Sequence, residues 1–179
     1  ESLALIRTLL EAGANPNAQL AFKEPSRGGR DNRFRDDLLT TGATPLLYPA
    51  RAASLPCFPA IAGAGGNVDK PNPDGMTPMI VALDNGAPAV AQYLLERGAN
   101  PHTWDWWGRT PLYVAVTMRG GPDSRPGPRP PESLAFIKAV LVAGVNPNPQ
   151  LAFKEPSRGG RDNRFRDDLL TTGATPLLR

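Results

Sequence analysis

Three tryptophans fall within the five residues Thr103-Trp104-Asp105-Trp106-Trp107. Trp offers a large rigid apolar surface with one polar N–H, and it is enriched where interfaces concentrate their binding energy. The segment is therefore equipped for non-covalent recognition. A second constellation runs from Lys23 to Asp37 and carries five basic and four acidic residues. Arg27, Arg30, Arg33 and Arg35 supply planar guanidinium forks that match carboxylate or phosphate, and Phe34 supplies an aromatic anchor beside them. The same segment recurs further on with Arg158, Arg161, Arg164, Phe165 and Arg166. Mixed charge predicts a finger folded back on internal ion pairs. Its Arg-Gly-Gly-Arg piece is diluted by acids, so protein contact is the expected use and nucleic acid is not an expected partner.

Residues for bond-making chemistry are scarce. The chain holds one His and one Cys, His102 and Cys57, with no paired metal-ligand spacing and no nucleophile motif around either. Gly63-Ala64-Gly65-Gly66 lacks the Lys-Ser or Lys-Thr that would complete a phosphate cradle. The adjacent Asp36 and Asp37 lack the further oxygen ligands that a cation needs. We therefore expect no catalytic residue, no metal and no cofactor. A single cysteine makes no internal disulfide, and no apolar run is long enough for a membrane span. The net charge is +3, and eight of the Arg residues behind it sit in the two copies of the finger, which is local patterning.

The elements that position these groups are set by a repeated tetrapeptide. Gly42-Ala43-Thr44-Pro45, Gly75-Met76-Thr77-Pro78, Gly108-Arg109-Thr110-Pro111 and Gly173-Ala174-Thr175-Pro176 place their Thr residues 33, 33 and 65 residues apart. A fixed period of this length marks a solenoid whose units bury their apolar faces against one another. Glycine supplies the turn, Thr accepts a hydrogen bond from an orphan amide, and Pro suits the first helical position. Inner helices are predicted to begin near Pro45, Pro78 and Pro111. Second helices follow, as in Val90 to Leu95 and in Leu134 to Leu141, where Leu134, Ile137 and Leu141 share a face widened by Phe136 and Val140. Gly13, Gly65, Gly98 and Gly144 are placed to end them in a left-handed conformation.

Asp74-Gly75-Met76-Thr77-Pro78, Ala82, Val90, Leu94-Leu95 and Gly98-Ala99-Asn100 resemble the ankyrin repeat in order and spacing, over almost the whole chain. The stretches Leu38 to Leu47 and Asp105 to Tyr113 are similar to bacterial ankyrin repeat proteins with long loop insertions. The resemblance implies an all-α solenoid of helix-turn-helix units with projecting β-hairpin loops and a concave face that binds other proteins. It places the Trp cluster at a hairpin tip, and His102 in a column where polar residues link successive loops.

One array is expected over residues 1–179: a partial repeat with a long finger (1–43), repeats 44–76 and 77–109, a repeat with two insertions (110–174), and the start of another (175–179). Residues 1–47 recur as 132–178, with Gln19 to Leu47 identical to Gln150 to Leu178. The expected function is a non-catalytic protein-binding scaffold. The alternative is a structural subunit of an end-to-end stacked or filamentous assembly, self-associating through uncapped ends at Leu3, Ile6 and Leu10 and at Leu177 and Leu178. Between Gly120 and Pro131, five Pro and three Gly predict an extended connector. Pro49 and Pro59 fall inside the helices predicted for 44–76, so that unit is expected to be distorted, with Pro59 not tolerated.

Overall fold

A computed structural model describes residues 2–20, 42–106, 108–117 and 131–148. These contain α1 (Ser2–Glu11), α2 (Leu47–Arg51), α3 (Cys57–Gly63), α4 (Pro78–Asp84), α5 (Pro88–Glu96), α6 (Pro111–Thr117) and α7 (Pro131–Val142). No strand is present among the described residues. Helices α2, α4 and α6 pack in series, α1 packs on α3 and α5 on α7, while α4 to α5 and α6 to α7 close the two layers on each other. The result is an all-α repeat solenoid with one continuous core, whose largest buried side chains include Phe58, Met79, Ile80, Leu83, Leu94, Tyr113 and Phe136. Phe58 of α3 also meets Tyr93 of α5, ring centroids 6.0 Å apart.

The punctuation in the sequence accounts for the helix ends. Thr77 Oγ1 accepts from Ile80 N at 3.4 Å and Thr110 Oγ1 from Tyr113 N at 3.2 Å, with Pro78 and Pro111 as the first helical residues. At the other end of α5, Gly98 has φ +83°, its amide bonds Leu95 O, and the next amide, of Ala99, reaches back to Leu94 O. That pair of bonds satisfies carbonyls a helix terminus would otherwise leave unmatched. The same two bonds recur after α1, α3 and α7.

The stretch 44–76 departs from its neighbours in a defined way. Both α2 and α3 begin two residues later than α4 and α5 do one period on, and both end in register with them. Their lead-in turns carry short bonds, Leu47 N to Thr44 O at 3.0 Å and Phe58 N to Leu55 O at 3.2 Å. The delay places Pro49 and Pro59 third in their helices, inside a first turn whose amides have no intrahelical acceptor. Pro59 is thus tolerated, contrary to the sequence expectation: the helix start moves so that the proline does no harm. The distortion itself is real. Thr44 lies where Thr77 and Thr110 cap, but its buried Oγ1 has no hydrogen-bond partner among the described residues.

Ala53 follows α2 at φ +52°, where the next unit has Gly86 at +74°. A Cβ is unfavourable in that region, so Ala53→Gly is expected to raise stability by about 0.5–1 kcal/mol, read as a shift of the urea midpoint at unchanged m-value.

Helix α7 also refines the sequence reading. Ser133, Phe136 and Val140 are its buried residues, whereas Leu134 and Leu141 lie exposed. The extended-connector expectation falls outside the described residues except at Pro131, which opens α7.

Candidate functional site

The loops joining outer to inner helices stack on one another through side chain to backbone bonds. Asn17 Oδ1 accepts from Asn67 N at 2.7 Å, and Asp69 Oδ1 accepts from Asn100 N at 2.8 Å. Asn17 and Asp69 thus link successive loops in the column that also contains His102, whose own amide bonds Asn100 Oδ1 at 2.9 Å. Within each loop the chain reverses over a short backbone bond: Asn72 N to Met76 O at 3.2 Å and Asp105 N to Arg109 O at 3.1 Å. The equivalent bond in the first loop joins Leu20 N to Ala43 O at 3.1 Å, and Gly42 N returns to Leu20 O at 2.7 Å. The long insertion therefore departs from and rejoins the stack at a closed neck.

The Trp-bearing loop is fastened from below by a buried ion-pair group. Arg109 Nε donates to Asp105 Oδ2 at 2.6 Å and its NH1 to Asp84 Oδ1, at the end of α4, at 3.1 Å. The Asp105 side chain is 0% exposed, and its Oδ1 also accepts from Arg109 N at 2.9 Å. With Asp105 drawn inward, the residues on either side turn outward: Trp104 is 69% and Trp106 67% exposed. The Trp106 amide is held by Asp74 O of the preceding loop at 2.8 Å. A groove of about 300 Å³ opens between the two loops, with Asp69, Pro71, Asn100, His102, Thr103 and Trp104 along it.

Of the residues singled out in the sequence, Trp104 and Trp106 stand together on this tip. Trp107, Arg27, Arg30, Arg33, Phe34, Arg35, Arg158, Arg161, Arg164, Phe165 and Arg166 lie outside the described residues. The ion-pair group and Asp69 were not singled out. Aligning the loops one period apart marks Asp105 and Arg109, which stand where the preceding loop has Asn72 and Met76, but neither the bond to Asp84 nor the place of Asp69. Among the described residues no group of three or more His, Cys, Asp or Glu is placed to hold a metal ion, and no helix is long and apolar enough to cross a membrane.

The family model for ankyrin repeats in three copies matches residues 1–105 and 50–124. The chain belongs to the ankyrin-repeat family. Similar relatives are much longer proteins. Zinc finger CCCH domain-containing protein 50 of Oryza sativa is 30% identical over 178 residues, 93% of this chain and 25% of that protein. Rabankyrin-5 of Homo sapiens is 40% identical over 118 residues, 60% of this chain and 10% of that protein. The human SH3 and multiple ankyrin repeat domains protein 2 is 35% identical over 95 residues, 52% of this ankyrin chain and 5% of the relative. The chain thus spans a quarter or less of each of these relatives. Ankyrin repeats serve protein–protein interaction, and the repeat arrangement here is consistent with a non-catalytic scaffold.

Proposed function

We propose that this ankyrin array is a rigid scaffold that binds another protein through its loop tips and concave inner-helix face. The units 44–76, 77–109 and 110–174 position those tips without taking part in a reaction. The loops are read as the family's projecting hairpins, a reading supported by the bonds Asn72 to Met76, Asp105 to Arg109 and Leu20 to Ala43. The observation that carries the proposal is the pair of exposed indoles, Trp104 and Trp106, on either side of a fully buried Asp105. Large aromatic surface held in place before binding loses little conformational freedom on association. The Arg-bearing fingers are proposed to add guanidinium contacts to an acidic or aromatic segment of the partner.

Replacing Trp104 and Trp106 together by Ala is expected to weaken partner binding by about 2 kcal/mol or more, roughly thirtyfold, with the helical circular-dichroism signal unchanged. Titration calorimetry against a partner isolated with the wild-type array measures it. Unchanged affinity with a lowered melting temperature would instead make the two indoles packing groups.

A second reading is a subunit of a stacked assembly. The ends named for it in the sequence do not favour it: Ile6 and Leu10 pack against the core, and Leu177 and Leu178 lie outside the described residues. Sedimentation across a concentration series distinguishes this reading from the first.

A further inference from the structure

We infer that the groove beside Trp104 accepts a basic side chain, Lys or Arg, presented by a protein segment. The inference rests on the scaffold reading above and adds the chemistry of the contact. The groove carries one carboxylate wall, Asp69, and one large aromatic wall, Trp104, along with Asn100 and Thr103, and among the described residues no Lys or Arg lines it. Asp69 Oδ1 is committed to the Asn100 amide at 2.8 Å, and Oδ2 has no hydrogen-bond partner among the described residues. A carboxylate oxygen with an acceptor site to spare, next to an exposed indole face, is complementary to a cation in two ways, by charge-assisted hydrogen bonding and by attraction to the ring quadrupole.

The overall charge sharpens the point. The chain is net positive by +3, so diffuse attraction works against a basic ligand and any capture must come from local groups. The groove's size is at the lower bound for small-molecule pockets and suits a single long side chain delivered from another surface.

The test uses the whole chain and the peptide acetyl-Gly-Ser-Arg-Ser-Gly-amide, with citrulline in place of Arg as a neutral isostere, followed by NMR of the Trp indole and Asn100 amide signals. Saturable shifts of the Trp104 and Asn100 signals are expected, with half-saturation about fivefold or more tighter for Arg than for citrulline. Asp69→Asn is expected to remove that difference while preserving the fold, because Asn17 makes the same loop-linking bond one loop earlier. A Lys peptide is expected to behave as the Arg peptide does. Equal shifts with Arg and citrulline, an unaltered Arg preference in Asp69→Asn, or no saturable shift at all would each overturn the inference. If Trp104→Ala then abolishes equal binding of both peptides, the tip remains a protein-binding surface, and only its preference for a cation is refuted.

Discussion

Arg109→Met is expected to destabilise the array by about 3–5 kcal/mol, the range found when one member of a buried ion pair is removed. The side chain leaves Asp105, fully buried, without the guanidinium 2.6 Å away, and leaves Asp84 at 13% exposure without its 3.1 Å partner. Two carboxylates in a poorly hydrated site would then lose the guanidinium that bridges them. The preceding loop supplies the remedy: there Asn72 Oδ1 accepts from Asp74 N at 3.0 Å and Met76 N at 2.9 Å, with no ion pair between Asn72 and Met76. The double variant Asp105→Asn with Arg109→Met copies that arrangement and is expected to recover most of the loss. Urea unfolding of the wild type, the single variant and the double variant measures the coupling. A single variant that loses less than about 1 kcal/mol would mean that the pair contributes no more than an exposed one.

The second large effect belongs to Gly42. It has φ +90°, and a Cβ there would lie 2.5 Å from Pro73 Cδ and 2.7 Å from Cγ, atoms of a ring tied to the backbone. Conformational cost and overpacking together predict a loss of about 3 kcal/mol for Gly42→Ala. Gly13→Ala provides the control, since Gly13 has a similar φ of +87° and nothing within 4 Å of its would-be Cβ. It should lose only the conformational part, about 1 kcal/mol. Gly75→Ala, 3.0 Å from Trp104 O, should fall between them. Equal losses for Gly42→Ala and Gly13→Ala would show that the loops give way at Pro73.

What the sequence revealed was local in origin. Thr77, Thr110 and the glycines after the outer helices act on their own turn, so the types of neighbouring residues were enough to predict them. Pro59 was misjudged because its effect depends on where the helix starts, and that start follows from packing of the whole unit. Leu134 and Leu141 match helical spacing as well as Phe136 and Val140 do, and only the position of α5 and α6 decides which pair is covered. The bond from Arg109 to Asp84, and the groove that Asp69 and Trp104 line together, bring together residues distant in the chain. Such contacts appear only when the repeat is folded on itself. The two exposed indoles were evident as a composition anomaly, but their outward direction depends on the buried Asp105 between them.

The closed neck at Leu20, Gly42 and Ala43 has an evolutionary consequence. Because both ends of the insertion are fixed to each other by backbone bonds before it begins, the loop stack closes at its base whatever the length of the segment inserted there. The entropic penalty of a longer segment rises only logarithmically, by about 0.6 kcal/mol per doubling. Core positions must change one side chain at a time in step with their neighbours, whereas this junction can exchange a whole cassette in one event. The identity of Gln19 to Leu47 with Gln150 to Leu178 runs through that neck into the buried Ala43, Leu46 and Leu47, so the block the two copies share is the insertion together with the start of the inner helix, while the outer helix before it differs.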